Sequence, residues 1–221
     1  YKVCALILGG FAFLVPTCPT FADGINAKEE KMRLATSKPT YRVLYNQDDT
    51  IFFEQGGHTP QDVQRMVDEV ADGGADVLLV NPNAQIVNYP SKVWQTYWDG
   101  YKKGDRSFFG VPEETVEQRI TWVENMMELI PHGGYLALAL AHCRERGITP
   151  GVSVRMNEMH DVPWPNSHVF SRFYRENPQL RLKPLDGRSW GAKGLDYAHR
   201  EVREHYLTLI RELAEDYDID V

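Results

Sequence analysis

The densest group of reactive side chains lies in residues 155–161, which read RMNEMHD. Arg155 offers a planar fork of donors and Asn157 a donor and an acceptor, a pair suited to recognising hydroxyl groups or orienting a carboxylate. Glu158 and Asp161 are the candidate catalytic residues, because acid- and base-assisted hydrolysis uses a pair of carboxyl groups. We expect His160 to hydrogen-bond a substrate hydroxyl or to hold the loop. A structural ion pair at Arg155 stays an open alternative.

The same segment contains residue types that can bind metal ions. Glu158, His160, Asp161 and the nearby His168 would be the ligands, but their spacing matches no established zinc pattern. We therefore predict no metal site and no cofactor, and keep a metal-dependent barrel hydrolase or isomerase as an alternative. Cys143 lies in an Ala- and Leu-rich helical stretch, which predicts a buried and unreactive thiol.

Polar residues also follow two earlier segments with the character of β-strands. The three predicted strands are residues 41–46 (YRVLYN), 76–81 (DVLLVN) and 149–156 (TPGVSVRM). Asn46 and Asp48 come at the end of the first strand, and Asn81 ends the second. Asp48 would accept a hydrogen bond from a substrate, or else form an Asx turn. Because the carboxyl ends of parallel strands share one edge of a sheet, we predict that these side chains meet Arg155 in one substrate site.

Two long segments rich in aromatic residues, 82–114 and 157–194, follow the second and third predicted strands. Loops of this length in a compact domain are usually functional or disordered, and their aromatic content argues against disorder. Trp94, Trp98 and Trp164 would offer flat faces for the weakly apolar C–H groups of sugars. Packing of the loops on themselves is the alternative.

Helical periodicity separates the predicted strands. The helices are predicted at 60–73, about 114–129, 135–146 and 195–217, with a short one around 168–176, while 47–59 reads as a loop. Strands that alternate with helices indicate a parallel sheet. No glycine-rich GxGxxG or Walker pattern follows the first strand, which argues against a doubly wound nucleotide-binding sheet. We therefore predict a (β/α)8, or TIM, barrel with polar residues at its strand ends.

The length predicts only part of such a barrel. The chain has 221 residues, whereas a full barrel takes about 250. The elements account for three to four βα units, and residues 218–221 predict the start of a fourth strand. We accordingly expect a truncated chain, with the main catalytic carboxylate beyond Val221.

The N-terminus predicts an exported protein. Lys2 precedes an uncharged run at 3–15, and 20–22 (TFA) carry small residues at the positions of a cleavage site. This pattern is typical of a secretory signal peptide, here 1–22, and the run is too short for a comfortable membrane span of about 20 residues. Residues 23–40 read as a linker and 41–221 as the barrel part. We expect a secreted or periplasmic bacterial protein that is free of the membrane after cleavage, with an uncleaved anchor as the alternative.

The charge balance bears on possible partners. The formal net charge is −7 and there is no basic tract, which argues against nucleic acid as a partner. A carbohydrate is the predicted partner, and the sequence predicts nothing about the oligomeric state.

Three segments resemble a known group of proteins: RVLYNQDDT, DVLLVNPN and GVSVRMNEMHD. They are similar to exported bacterial glycoside-hydrolase-like barrels of the family-10-like type common in planctomycetes, over about residues 41–221. The resemblance implies hydrolysis of a poly- or oligosaccharide by carboxylate acid/base chemistry, with a catalytic carboxylate on the continued fourth strand. It places Asn46, Asp48, Asn81, Arg155, Asn157 and His160 at matching strand ends. A carbohydrate-binding barrel without catalysis is the alternative.

Overall fold

The computed structural model describes residues 5–8, 11–14, 41–161, 163–183 and 193–221. The chain divides into two compact units, 1–40 and 41–221. In the first unit, β1 (Ala5–Leu8) pairs with β2 (Phe11–Leu14) in an antiparallel ladder. The predicted cleavage site and the predicted linker lie outside the described residues. Within the described ranges, no helix is both long and apolar enough to cross a bilayer.

The second unit contains a parallel sheet in the order β3 (Leu44–Gln47), β4 (Val77–Val80) and β5 (Thr149–Val152). Leu44 lies opposite Val77, and Val77 opposite Thr149. All three strands were predicted, in this order along the chain, and each is shorter than its predicted segment. Together with the helices they form an incomplete α/β fold. Beyond the end of the third strand, at Arg155, the Asn83 side chain from the loop after β4 takes both backbone hydrogen bonds.

Residues 218–221 run beside the other edge of β5. The amide of Asp220 donates to the carbonyl of Pro150 at 3.0 Å, and the amide of Val152 donates to the carbonyl of Val221 at 2.9 Å. These two bonds advance in the same direction along both segments, as in a parallel pair. The order in space therefore follows the order in sequence, from β3 through β4 and β5 to 218–221.

Six helices occur in the described part of the second unit. They are α1 (Asp49–Glu54), α2 (Pro60–Asp72), α3 (Glu113–Leu129), α4 (Tyr135–Arg146), α5 (Arg172–Glu176) and α6 (Arg200–Asp216). Short 3₁₀ turns lie at Arg106–Phe109, Ile130–His132 and Pro178–Leu180. The bounds of α4 match the prediction, and those of α2 and α3 agree with it to within a residue. The last helix begins five residues later than predicted, because Leu195 is held by Asn157 and pairs with Arg181 instead.

Helix α1 lies in a segment that was predicted to be a loop. Asp48 caps it, because its carboxylate accepts bonds from the amide and the hydroxyl of Thr50 at 3.3 and 2.7 Å. The helix turns Phe52 and Phe53 into the core, where each ring lies 5.0 Å from the ring of Tyr135. The Asp-Asp sequence thus marks a helix N-terminus, and the Asx turn that was the alternative for Asp48 is this cap.

Helix α2 begins with a capping box. Thr59 accepts a bond from the amide of Asp62 at 3.2 Å, and the Asp62 carboxylate accepts one from the amide of Thr59 at 3.0 Å. Val63 and Val67 on this helix are buried where it packs against α4, which in turn covers β4 and β5. Cys143 on α4 is fully buried, and burial raises the pKa of its thiol to about 11. The predicted burial of this thiol is confirmed.

Removal of this cap gives the first testable change. Thr59→Ala is expected to lower the free energy of unfolding by about 1 kcal/mol, because the amide of Asp62 loses its acceptor. Thr59→Ser keeps the hydroxyl and should retain most of the stability. Urea unfolding followed by circular dichroism measures both, and equal losses for the two variants would show that the hydroxyl contributes nothing.

The long segment after β4 is fastened to α6 by one buried carboxylate. Glu212 accepts bonds from the hydroxyls of Tyr89 and Ser91 at 2.7 and 2.6 Å and from the amide of Lys92 at 2.5 Å. The indole of Trp94 donates to the carbonyl of His205 at 3.1 Å on the same helix. The predicted aromatic loop is therefore an ordered layer that joins the strand ends to α6.

Candidate functional site

A cavity of about 230 Å³ lies at the carboxyl ends of the three strands. Its walls come from the residues that follow β3, β4 and β5 and from one face of α3. Five residues that were predicted for the site line it: Asp48, Arg155, Glu158, His160 and Asp161. The rest of the lining comes from Thr50, Ala84, Tyr97, Arg119, Trp122 and Val169. The structure thus brings together both predicted carboxylates and three of the predicted substrate contacts.

A larger opening, of about 710 Å³, lies elsewhere along the outer edge of β3, beside α1 and α2. It is bounded by the exposed side chain of Tyr45 and by residues of α2 such as Asp62, whose carboxylate is already used in the capping box. Among the described residues, Gln47 at the end of β3 lines this opening, whereas no residue that follows β4 or β5 does. Volume alone therefore does not mark the site, and the smaller cavity at the strand ends is the better candidate.

Arg155 is the central cation of the cavity. Its Nη1 donates to Oε2 of Glu158 at 2.8 Å, and its Nη2 lies 3.4 Å from Oδ2 of Asp48. The amide of Arg155 donates to the Asn83 side chain at 3.0 Å, and Asn83 donates back to the Arg155 carbonyl at 3.0 Å. Asn83 therefore continues the hydrogen-bond ladder beyond the end of β5. It thereby fixes the backbone position from which the Arg155 side chain extends.

Glu158 is a buried carboxylate that is held in its charged form. Its Oε1 accepts bonds from the amides of Met159 and His160, both at 2.7 Å, and also contacts the ring of His160. Burial alone would raise the pKa of Glu158, but the His160 amide and the Arg155 guanidinium outweigh burial, so the pKa lies below its usual value. Glu158 is thus suited to act as a base, a nucleophile or a counter-charge, and not as a proton donor at neutral pH.

Asp48 and Asp49 are neighbours with opposite environments. The Asp48 carboxyl faces the cavity; burial raises its pKa, but the bonds from Thr50 and the charge of Arg155 lower it more. Asp49 is fully buried and accepts bonds from Tyr135 at 2.8 Å and Asn88 at 3.1 Å. Burial raises the pKa of Asp49 well above its usual value. Asp48 is therefore available to a ligand, whereas Asp49 belongs to the core.

Asp161 is held in a strained conformation. Apart from glycines, it alone among the described residues has a positive φ, 63°. Its carboxylate accepts bonds from Nη2 of Arg119 at 2.7 Å and from the hydroxyl of Ser167 at 2.5 Å. The Arg119 guanidinium also lies 4.3 Å over the ring of Trp122. Strain that is fixed by buried hydrogen bonds is common where a side chain must point into a site.

Arg119 was not predicted for the site. It comes from the middle of α3, which packs its apolar face inward, and its position three residues after Val116 and four before Val123 lies on that buried face. A charged residue on the apolar face of a predicted helix could have indicated this role, because a buried arginine requires a partner. The identity of that partner, Asp161, depends on the tertiary fold.

The three asparagines lie at the carboxyl ends of the strands but outside the cavity. Asn81 is buried and its amide donates to the carbonyl of Ser153 at 2.5 Å, which ties the ends of β4 and β5 together. Asn157 exchanges two bonds with the backbone of Leu195, at 3.2 and 2.9 Å. Asn46 is exposed on β3. Their positions favour structural roles over contact with a ligand in this cavity.

The tryptophans predicted as stacking faces also lie outside the cavity. Trp94 is buried, with its ring stacked 4.2 Å from the ring of His205. Trp98 packs partly buried against the core, and Trp164 lies in a turn where its amide donates to the carbonyl of Asp161 at 2.7 Å. The aromatic wall of the cavity comes from Tyr97 and Trp122 instead.

The four potential metal ligands do not converge. His168 is enclosed by the rings of Tyr97, Phe108 and Phe109, with centroids 5.0–5.9 Å away, while His160 contacts Glu158. Within the described ranges, no group of three or more His, Cys, Asp and Glu side chains is arranged to hold a metal ion.

Comparison with known proteins finds distant similarity to solved structures. No protein-family model and no curated protein sequence matches the chain. Among solved structures, the chain is similar to a noncanonic maltogenic alpha-amylase from Thermotoga neapolitana, with a TM-score of 0.43 and 12% identity. The alignment covers 80% of this chain and 37% of the amylase, so this chain spans little more than a third of that protein. Similarity at this level assigns neither a family nor an activity.

Proposed function

We propose that this chain forms the substrate-binding end of a glycoside-hydrolase-like (β/α)8 barrel that acts on a poly- or oligosaccharide. The observation that carries the proposal is the convergence of Asp48, Arg155, Glu158 and His160 on one cavity at the carboxyl ends of parallel strands. The sequential strand order supports a barrel, since doubly wound sheets reverse their strand order at a switch point. The pattern at 1–22 supports export to the periplasm or the exterior as part of the same proposal.

The composition of the cavity suits one sugar ring. Carboxylate oxygens of Asp48 and Glu158 accept bonds from hydroxyls, and the Arg155 fork donates to ring or hydroxyl oxygens. Tyr97 and Trp122 supply aromatic surface for sugar C–H groups. The volume, about 230 Å³, is below the range of about 300–1,000 Å³ that holds drug-sized ligands. A single ring of a longer chain is the best-matched occupant.

In hydrolysis of a glycosidic bond, the ionised Glu158 would stabilise positive charge that develops on the sugar or activate the attacking group. Asp161 uses both oxygens on Arg119 and Ser167, so it positions Arg119 in the cavity wall. A carbohydrate-binding barrel without catalysis is the second candidate. It is favoured by the same hydrogen bonds, because they leave Glu158 charged and Asp161 occupied, and hydrolysis also needs a proton donor.

Arg155→Met tests the proposed site. The hexasaccharides maltohexaose, cellohexaose, xylohexaose and chitohexaose are titrated separately against the 221-residue chain by calorimetry. We expect at least one to bind, and Arg155→Met to weaken that binding at least about tenfold, since a charged hydrogen bond contributes about 1.5–3 kcal/mol. Arg155→Lys keeps the charge without the fork and should fall between the two.

The matched control is Arg200→Met on α6, where the exposed arginine pairs with Glu204. It should bind as the unchanged chain does. Equal hexasaccharide affinities for Arg155→Met and Arg200→Met would show that the sugar does not bind in this cavity. Chromatography of the incubated sugar then separates the two candidates, because shorter products require catalysis, and intact sugar with retained binding indicates the binding module.

A further inference from the structure

A second cavity, of about 380 Å³, lies between the segment after β4 and the helices α5 and α6. Gln85 and Gln95 contribute amide groups to it, and Lys92 and Arg172 lie at its margin. Ala84 lines the first cavity and the next residue, Gln85, lines the second, so consecutive residues of the chain contribute to the two cavities. Of the residues predicted from sequence to contact a substrate, Trp94 lines this second cavity and not the first.

One wall of the second cavity is a stack of three parallel rings. The ring of His205 lies 4.2 Å from Trp94 on one side and 4.0 Å from Phe173 on the other, with interplanar angles of 11° and 12°. Trp94 is fixed by bonds from its indole to the carbonyl of His205 and the hydroxyl of Thr208, both at 3.1 Å. Burial lowers the pKa of His205 to about 4, so its ring is neutral at pH 7. The wall is therefore rigid and uncharged before any ligand arrives.

Gln85 gives this cavity an acceptor without a partner. The residue is only 5% exposed, and its Nε2 donates to the carbonyl of Glu158 at 3.1 Å. Its Oε1 accepts no hydrogen bond from any residue that the structure describes. An unpaired buried polar atom costs about 1–3 kcal/mol, which a ligand hydroxyl can recover. The same amide group holds the backbone of Glu158, so the second cavity is joined to the first by one hydrogen bond.

We propose that this cavity is a second saccharide-binding site. A sugar ring donates a hydroxyl to Oε1 of Gln85 and packs its C–H groups on the aromatic stack. Its closeness to the first cavity fits two separate units of one polysaccharide chain. The identity of the ligand as a sugar rests on the proposed function, whereas the presence of a binding site rests on Gln85 and the stack.

The two cavities can be observed separately through their tryptophans. Trp122 lines the first cavity and Trp94 the second. In the ¹⁵N-labelled chain, the indole signals are assigned with Trp94→Phe and Trp122→Phe, and maltohexaose, cellohexaose, xylohexaose and chitohexaose are titrated in turn. We expect the Trp94 signal to shift with one of these sugars. A shift of Trp122 alone would overturn the second site and leave the proposed function standing, and no shift of either would overturn both.

Phe173→Ala and Gln85→Met test the contacts themselves. Removal of the Phe173 ring opens the stack, and methionine removes the acceptor while keeping the length of the side chain. For each, we expect the sugar concentration at half-maximal Trp94 shift to rise about tenfold or more. The Trp122 shift should persist in Phe173→Ala, which leaves the bond from Gln85 to Glu158 in place. Leu207→Ala, which alters an exposed residue of the same α6 helix, is the control. Unchanged Trp94 titrations in both variants would refute the site.

Discussion

Arg119→Met should lower the free energy of unfolding by about 3–5 kcal/mol, because it leaves a buried charge without its partner. The side chains of Arg119 and Asp161 are only 9% and 4% exposed, and they meet at 2.7 Å. Without the guanidinium, Asp161 keeps only the hydroxyl of Ser167. Urea unfolding at pH 7, followed by tryptophan fluorescence, measures the loss.

The double variant Arg119→Met with Asp161→Asn isolates the cause. Asparagine tolerates the positive φ of Asp161 and carries no charge, so the double variant should recover part of the loss. Arg106→Met is the matched control, because Arg106 pairs with Glu113 and Glu117 on the exposed surface. It should change stability little, since exposed ion pairs contribute little. A loss from Arg119→Met no larger than that from the control would show that the pair is not stabilising.

His168→Phe should make the protein more stable by about 1–3 kcal/mol at pH 7, because neither ring nitrogen of His168 has a hydrogen-bond partner among the described residues. The ring is buried among Tyr97, Phe108 and Phe109, where phenylalanine has a similar shape. The substitution should also remove the part of the pH dependence of stability that comes from His168. Thermal unfolding across a pH series gives both quantities.

The direction of the pH dependence follows from the pKa of His168. Burial, with a contribution from the charge of Arg119, lowers this pKa from 6.5 to about 3 in the folded protein. Between about pH 6.5 and 3, His168 is therefore protonated in the unfolded chain but neutral in the folded protein. The free energy of unfolding consequently falls as the pH falls through this range. At pH 4 the accumulated loss is on the order of 3 kcal/mol, which His168→Phe should abolish. His132→Phe, in an exposed 3₁₀ turn, should leave the pH profile unchanged. Parallel profiles for the chain and His168→Phe would contradict the buried neutral histidine.

Much of the local structure follows from short stretches of sequence. Thr59-Pro60 with Asp62 defines the start of α2, and glycines with positive φ at Gly134 and Gly147 bound α4. The apolar run of β4 identifies a buried strand. Each of these signals acts over a few residues, because caps, turns and burial patterns are set by neighbouring side chains.

The rule that parallel strands end at one edge also placed part of the candidate site. Asp48, Arg155 and Glu158 follow β3 and β5 closely, so their meeting in one cavity depends only on the parallel order of the strands. The same rule included Asn46, Asn81 and Asn157, which lie at the same end but are exposed or held by backbone groups. Proximity to a strand end therefore selects candidates, and side-chain direction decides among them.

The remaining features of the site were decided by contacts between distant segments. Arg119 reaches Asp161 across 42 residues of sequence, and Trp94 meets His205 across 111. The first contact brings α3 into the wall of the first cavity, and the second covers one face of Trp94 with the His205 ring of α6. Residue type and spacing determined that a buried arginine needs an anion and a tryptophan needs apolar cover. The particular anion and the particular apolar neighbours depend on how the helices pack. That packing is set by the burial of apolar surface over the whole unit.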